Sequence, residues 1–92
     1  MIDVNAMMSL FREEIVVLDM ASPYVILGKL TGEDGSYFVL EEADVHDLRD
    51  SSTTREQYVL DSRRHGIGIN RKRVFVAKAD VVSLSALSDV QE

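Results

Sequence analysis

Short runs of apolar residues follow one another along most of the chain, separated by polar or turn-forming residues. The runs at residues 15–20, 24–30, 37–45, 73–77 and 81–84 are rich in β-branched or aromatic residues. Runs of this length and composition are typical of strands. The pattern therefore predicts a mainly β chain with five strands.

The segments between these runs carry turn signals. Pro23, the only proline, separates the first two strands and disfavours helix at the residue before it. Asp34 followed by Gly35 is a strong hairpin signal between the second and third strands. Gly28 lies inside the second strand, where a glycine predicts a bulge or a sharp bend.

The N-terminal segment has helical spacing. Over residues 1–14, Met7, Leu10 and Phe11 fall at intervals of three and four, and Asp3 or Asn5 can cap the first turn. This pattern predicts an N-terminal helix that packs over the sheet.

A second helix is predicted over residues 53–65, between the third and fourth strands. Thr53 and Glu56 fit the capping box S/T-x-x-E, with Thr53 as the cap. Gly66 is a suitable residue just beyond the last turn. The order is thus a helix, three strands, an inserted helix and two strands. It predicts a single domain over residues 1–92: a small, strongly bent five-stranded antiparallel sheet or barrel.

Composition excludes several classes of protein. Without cysteine the chain has no disulfide framework, no thiol nucleophile and no cysteine-ligated metal. No stretch approaches the ~18–20 apolar residues of a membrane span, and no secretory signal is visible at the N-terminus. We therefore expect a cytoplasmic protein without membrane association or a cofactor.

Charge is distributed unevenly along a chain of net charge −6. Residues 62–78 contain no acidic residue but six basic ones: Arg63, Arg64, Arg71, Lys72, Arg73 and Lys78. A local basic segment can contact phosphate even in an acidic protein. The alternative is a solvated charged surface, in which Arg63 and Arg64 merely complement the dipole at a helix C-terminus.

Two stretches resemble the motifs of the Sm-like proteins, in a divergent form of bacterial or phage type. In residues 16–44, Gly28, Leu30, Asp34, Val39 and Leu40 stand at places that match the first motif. Residues 75–85 resemble the second motif, in which a tight turn joins two short strands. The resemblance implies a bent, SH3-like barrel.

The resemblance also implies a homo-oligomeric ring, in which the fourth strand of one subunit pairs with the fifth strand of the next. Such pairing satisfies the open edges of a sheet, and a head-to-tail contact can close into a ring. The interface residues that this predicts are Val74, Phe75, Val76, Val81, Val82 and Leu84.

The resemblance further implies RNA or other single-stranded nucleic acid as a partner. The residues expected to bind it are Asp34, Tyr37, Arg63, Arg64, Arg71, Lys72, Arg73 and Lys78. Tyr37 stands about where the family has an asparagine, and Lys78-Ala79, or Ala77-Lys78 if the alignment shifts by one residue, replaces its Arg-Gly turn. Tyr37 can stack on a base, but a strand tyrosine also suits core or interface packing.

Two other functions remain open. A ring could serve as a scaffold for protein interactions without binding nucleic acid, which the acidic balance and the departures from the family's uridine-binding pocket at Tyr37 and Lys78-Ala79 both favour. Asp44, His46, Asp47 and Asp50 form the only cluster of ligand-type residues, which suggests a metal or ligand site or, alternatively, a polar loop. No enzyme signature is present, so we expect neither catalysis nor a metal.

Overall fold

The structure, a computed structural model, describes residues 10–92. Within these residues lie five strands and one helix of which both ends are described: β1 (Ile15–Met20), β2 (Tyr24–Glu33), β3 (Tyr37–Asp47), α1 (Arg55–His65), β4 (Arg71–Ala77) and β5 (Val81–Ala86). The mainly β prediction is confirmed, and the helix lies between the third and fourth strands as expected. β2, β3, β4 and β5 each extend by two or three residues beyond the predicted run.

The predicted N-terminal helix falls largely outside the described residues. Leu10 and Phe11 are helical, and the next three residues form a turn and bend that lead into β1. The helix thus ends before Glu14, because Glu13 takes a left-handed φ of 65°, which does not continue a helix.

The strands form one antiparallel sheet in the order β4-β3-β2-β1-β5. Of the predicted alternatives, sheet or barrel, the structure shows the sheet: within the described residues β4 and β5 do not pair with each other, so the sheet is not closed into a barrel. The short turn Lys78–Asp80 joins them. Its two ends bond to other turns: Lys78 N donates to Ser36 O at 2.8 Å, and Ala21 N donates to Asp80 O at 2.8 Å. The outer edges of both strands therefore stay open.

Gly28 marks a bulge, as predicted. Leu27 pairs with Asp44 and Lys29 pairs with Glu41, so two residues of β3 face Gly28 alone. A Cβ at Gly28 would stand 2.9 Å from the Cβ of Ala43, closer than side chains pack. The strands can approach and bend here because the side chain is absent.

Both faces of the sheet bury apolar side chains. The inner face holds the larger core: Val16, Leu18, Met20, Ile26, Leu30, Phe38, Leu40, Ala43 and Val76. The outer face holds a smaller one: Val17, Val25, Leu27, Val59 and Leu87. Alternate residues of β1 and β2 point to the two cores, so both strands are nearly continuous apolar runs.

The helix α1 supplies part of the outer core through Val59, which is 6% exposed. Its N-cap is Thr54 rather than Thr53: Thr54 Oγ1 accepts from Gln57 N at 3.2 Å. Thr54 and Gln57 repeat the capping-box spacing one residue further along. At the other end Gly66 has a φ of 93° and donates to Ser62 O at 2.8 Å, which confirms the predicted C-terminal glycine.

Candidate nucleic-acid interface

The turn between β2 and β3 lies beside the turn between β4 and β5. Tyr37 pairs with Ala77 at the ends of β3 and β4, and Lys78 N donates to Ser36 O. Three of the predicted binding residues, Asp34, Tyr37 and Lys78, are thereby brought to one end of the sheet, which we call the paired turns.

Asp34 organises the first of these turns. Its Oδ1 accepts from Ser36 N at 2.7 Å and from Tyr37 N at 2.8 Å. The two backbone N–H groups, and more weakly Lys78, hold the pKa of Asp34 below its ordinary value. The carboxylate is therefore charged at neutral pH, and it fixes the backbone that presents Tyr37.

Tyr37 lies on the outer face of the sheet and is 46% exposed. The next residue, Phe38, points to the inner core. Core packing of Tyr37, one alternative from the sequence, does not occur among residues 10–92. An exposed aromatic ring beside a turn can stack on a nucleobase, a contact worth about 1–3 kcal/mol.

Lys78 is less available than its position suggests. Its Nζ lies 2.6 Å from Glu33 Oε2 and 4.9 Å from the centroid of the Phe38 ring. The Glu33 side chain is only 9% exposed, and among the residues that the structure describes its Oε1 has no hydrogen-bond partner. Sequence reasoning missed Glu33, because an acidic residue next to a turn gives no signal of burial.

The basic residues of β4 point to two sides. Arg73 shares the outer face with Phe75, because their partners Glu41 and Val39 alternate with inner-core residues of β3, whereas Lys72 alternates to the side of Val74 and Val76. Arg73 Nε is 3.4 Å from Glu41 Oε2, and Arg71 donates to Asn70 O at 3.0 Å. Because a strand rises about 3.3 Å per residue, Arg71 lies about 20 Å from the paired turns.

Arg63 and Arg64 occupy the last turn of α1. Arg64 pairs with Glu92 near the C-terminal end of the chain, and Arg63 lines a separate crevice with Glu14, Ile15 and Leu87. The basic segment is thus not one continuous patch: it divides among a helix end, a strand and a turn.

The predicted interface residues divide by exposure. Phe75 and Val82 are 63% and 71% exposed. Val74, Val81 and Leu84 are partly buried against the inner core. Val76 is 3% exposed, so its side chain belongs to the core and only its backbone lies at the open edge.

The acidic cluster near His46 serves to hold α1. Asp44 is 2% exposed. It accepts hydrogen bonds from the Tyr58 hydroxyl and from Asn70 Nδ2, the latter at 3.3 Å. The His46 ring stacks on Tyr58 with centroids 3.8 Å apart. Burial raises the pKa of Tyr58, and the hydrogen bond to Asp44 raises it further by a smaller amount. We call Asp44, His46, Tyr58 and Asn70 the helix clasp.

The remaining members of that cluster do not join the clasp as ligands. Asp47 caps the short 3₁₀ turn Leu48–Asp50 and pairs with Arg49 at 2.8 Å. Over residues 10–92, no three His, Asp or Glu side chains are grouped so that they could hold a metal ion. In the same part of the chain, no helix is long and apolar enough to cross a membrane.

These observations define a class of fold: a small, bent antiparallel sheet with two open edges and paired turns at one end. No family model matches the sequence, and no curated protein matches it. Among solved structures, the chain is similar to the Sm protein of Pyrococcus abyssii in complex with a uridine heptamer. The TM-score is 0.60 at 14% identity, over 91% of this chain and 97% of that one. The chain therefore has the Sm-like fold.

Proposed function

We propose that the chain is a non-catalytic, cytoplasmic protein that assembles head to tail into a ring and binds single-stranded RNA at the paired turns. The observation that carries the proposal is the joining of Asp34, Tyr37 and Lys78 at one end of an Sm-like fold. The similar Pyrococcus protein, which binds a uridine heptamer, supports RNA as the ligand.

The open edges support assembly. β4 and β5 are the two outer strands of the sheet, and each exposes a large apolar side chain, Phe75 and Val82. An unpaired strand edge is a template for another strand. Pairing β4 of one copy with β5 of the next satisfies both edges, and a rotation that closes gives a ring.

A ring repeats the paired turns once per subunit, so a modest contact becomes multivalent. Within each subunit, Tyr37 stacks on a base and Lys78 contributes positive charge. Arg71, Lys72 and Arg73, together with Arg63 and Arg64 on the helix, contact phosphate outside the paired turns. This arrangement allows a chain of net charge −6 to bind RNA locally.

A second candidate function is a protein-interaction scaffold with the same ring. The ion pair between Lys78 and Glu33 favours it, because a neutralised lysine attracts phosphate less strongly. The two functions differ in one measurable property, since only the first requires RNA affinity that falls as salt rises.

The test combines mass and binding. Light scattering gives the number of subunits, and fluorescence anisotropy with labelled U-rich and A-rich RNA at two salt concentrations gives affinity. We expect a ring whose RNA affinity drops with salt and weakens about tenfold in Tyr37→Ala, the loss of one stacking contact. Ile69→Ala, at an exposed apolar residue outside the strands, is the matched control.

A ring that binds neither the U-rich nor the A-rich RNA at low salt would contradict RNA binding and would support the scaffold function instead. A monomeric mass would contradict both functions.

A further inference from the structure

A crevice separates α1 from the edge strand β5 on the outer face of the sheet. Its volume is about 210 Å³, and its apolar lining includes Val17, Val59, Leu60 and Val90. Ser85 of β5 also lines it. Because β5 is an outer strand, the crevice borders the edge to which a further strand can be added.

The outer face of β5 is built from small residues. Ser83 and Ser85 pair with Asp19 and Val17 of β1, whose outer-face side chains lie below α1. Because serine side chains are small, Ser83 and Ser85 leave room on the outer face of this edge strand for a large side chain of a neighbouring copy.

The outer face of β4 has the opposite character. Arg73 and Phe75 project from it, and both are exposed. Phe75 is 63% exposed and faces away from the inner core that holds Val76. This strand therefore offers one large exposed aromatic side chain and, beside it, a cationic side chain that lies 3.4 Å from Glu41 of its own chain.

We propose that the crevice between α1 and β5 of one copy receives Phe75 and the stem of Arg73 from β4 of the next copy, so that the inserted helix forms part of the ring interface. This inference rests on the proposed ring. A continuous sheet keeps its faces aligned from one strand to the next, so outer-face residues of β4 lie beside outer-face residues of β5.

The pairing register between β4 of one copy and β5 of the next follows from the overlap of the two strands. Antiparallel pairing that matches all six residues of β5 to β4 and keeps the outer faces together places Phe75 opposite Ser83 and Arg73 opposite Ser85. Cross-strand neighbours on one face lie about 4.5–5.5 Å apart between Cβ atoms, and diagonal ones about 7–8 Å. Both side chains therefore reach the mouth of the crevice.

Charge agrees with this placement. The crevice is bordered by Asp19 and by the exposed Glu56 of α1, with Arg55 held at 3.5 Å from Asp19. Arg73 of the incoming strand adds a cation next to Glu56, so in this arrangement Arg73 serves the interface between copies and leaves the phosphate contacts of β4 to Arg71 and Lys72. A second copy thus supplies both the apolar group and the charge that the crevice fits.

Leu60→Lys provides the sharpest test, because Leu60 lies on neither edge strand. If strand pairing alone holds the ring together, this substitution leaves assembly unchanged. Gln57→Lys places the same charge on the same helix, at an exposed residue that does not line the crevice. We expect Leu60→Lys to raise the concentration needed for assembly about tenfold or more, and Gln57→Lys to leave it unchanged. Urea unfolding of both variants shows whether the subunit fold is kept.

A cross-link gives a second measurement that does not depend on the lysine variant folding. The native sequence has no cysteine, so Phe75→Cys combined with Leu60→Cys allows a short bismaleimide to join only these positions. We expect a ladder of linked subunits on a denaturing gel, and no ladder when either Phe75→Cys or Leu60→Cys is present alone, because a subunit with one cysteine can be linked to only one other.

The outcomes separate the two proposals. A wild-type ring with unchanged assembly in Leu60→Lys and no ladder overturns the role of the crevice while the ring stands. A ring that keeps its mass in Phe75→Asp but loses RNA would also overturn it, by assigning Phe75 to base stacking. A monomeric wild type overturns the ring and this inference together.

Discussion

Two aspartates ten residues apart, Asp34 and Asp44, use their carboxylates in different ways. Asp34 is exposed, and its partners are the backbone N–H groups of residues two and three positions further on. Asp44 is buried, and its partners Tyr58 and Asn70 are 14 and 26 residues away. The first shapes a turn that stays open to solvent, whereas the second ties separate elements together.

The difference extends to the surroundings of each residue. The paired turns leave Tyr37 free to meet a ligand, but in the helix clasp the rings of His46 and Tyr58 cover each other. We infer that the paired turns serve binding and that the clasp serves stability. Substitutions at the two places should therefore separate affinity from the free energy of unfolding.

Asp44→Ala is expected to have the largest effect on stability. It leaves the Tyr58 hydroxyl and the Asn70 amide without their acceptor in a partly buried site, and each unpaired polar group costs about 1–3 kcal/mol. We expect a loss of about 3 kcal/mol in the free energy of unfolding, measured by urea titration. Asp50→Ala, at an exposed residue of the same segment, should change it by less than about 0.5 kcal/mol. Equal losses in both variants would contradict the clasp.

Tyr58→Phe should cost less, because it removes the hydroxyl but keeps the ring that stacks on His46. The lost hydrogen bond to a buried carboxylate is worth about 1.5–3 kcal/mol. We expect a loss near the lower end of this range, because Asn70 still donates to Asp44. In the double variant with Asp44→Ala, the two losses should sum to more than the measured effect. Additive losses would show that the hydroxyl and the carboxylate do not interact.

The contrast also explains which features the sequence predicts. Five strands, the bulge at Gly28 and the turn at Asp34 depend on spacing and on neighbours within a few residues, so they could be recognised in advance. The capping residue was misassigned because Thr53 and Thr54 both begin a valid capping box. The clasp and the ion pair between Glu33 and Lys78 join residues from different elements. No local pattern indicates such partners, so Asp44 looked like a candidate metal ligand.

Asp34→Ala should affect binding more than stability. Without the carboxylate, Ser36 N and Tyr37 N bond to water, and the turn that presents Tyr37 loosens. We expect RNA affinity to fall by about as much as in Tyr37→Ala, with a smaller shift of the unfolding midpoint than Tyr58→Phe causes. Anisotropy and urea unfolding on the same samples measure both. Asp61→Ala, on the helix, is the control. A large loss of stability with unchanged affinity would reverse the roles assigned to the two regions.

The smallest effect is expected in acid, at Asp47. The Arg49 side chain, followed by its backbone N–H, lowers the pKa of Asp47 from 3.8 to about 2. A carboxylate whose pKa is lower in the folded chain stabilises the fold above its unfolded pKa, and this contribution is lost as pH falls from about 4 through about 2. Asp47→Asn should therefore flatten the dependence of the unfolding midpoint on pH in that window and leave its shape unchanged above pH 5. Asp34, whose pKa is also lowered, still contributes to stability in this variant, so the unfolding midpoint should keep some of its dependence on pH. A curve as steep as that of the wild type would mean that the pair with Arg49 adds nothing to stability in solution, as is common for exposed ion pairs.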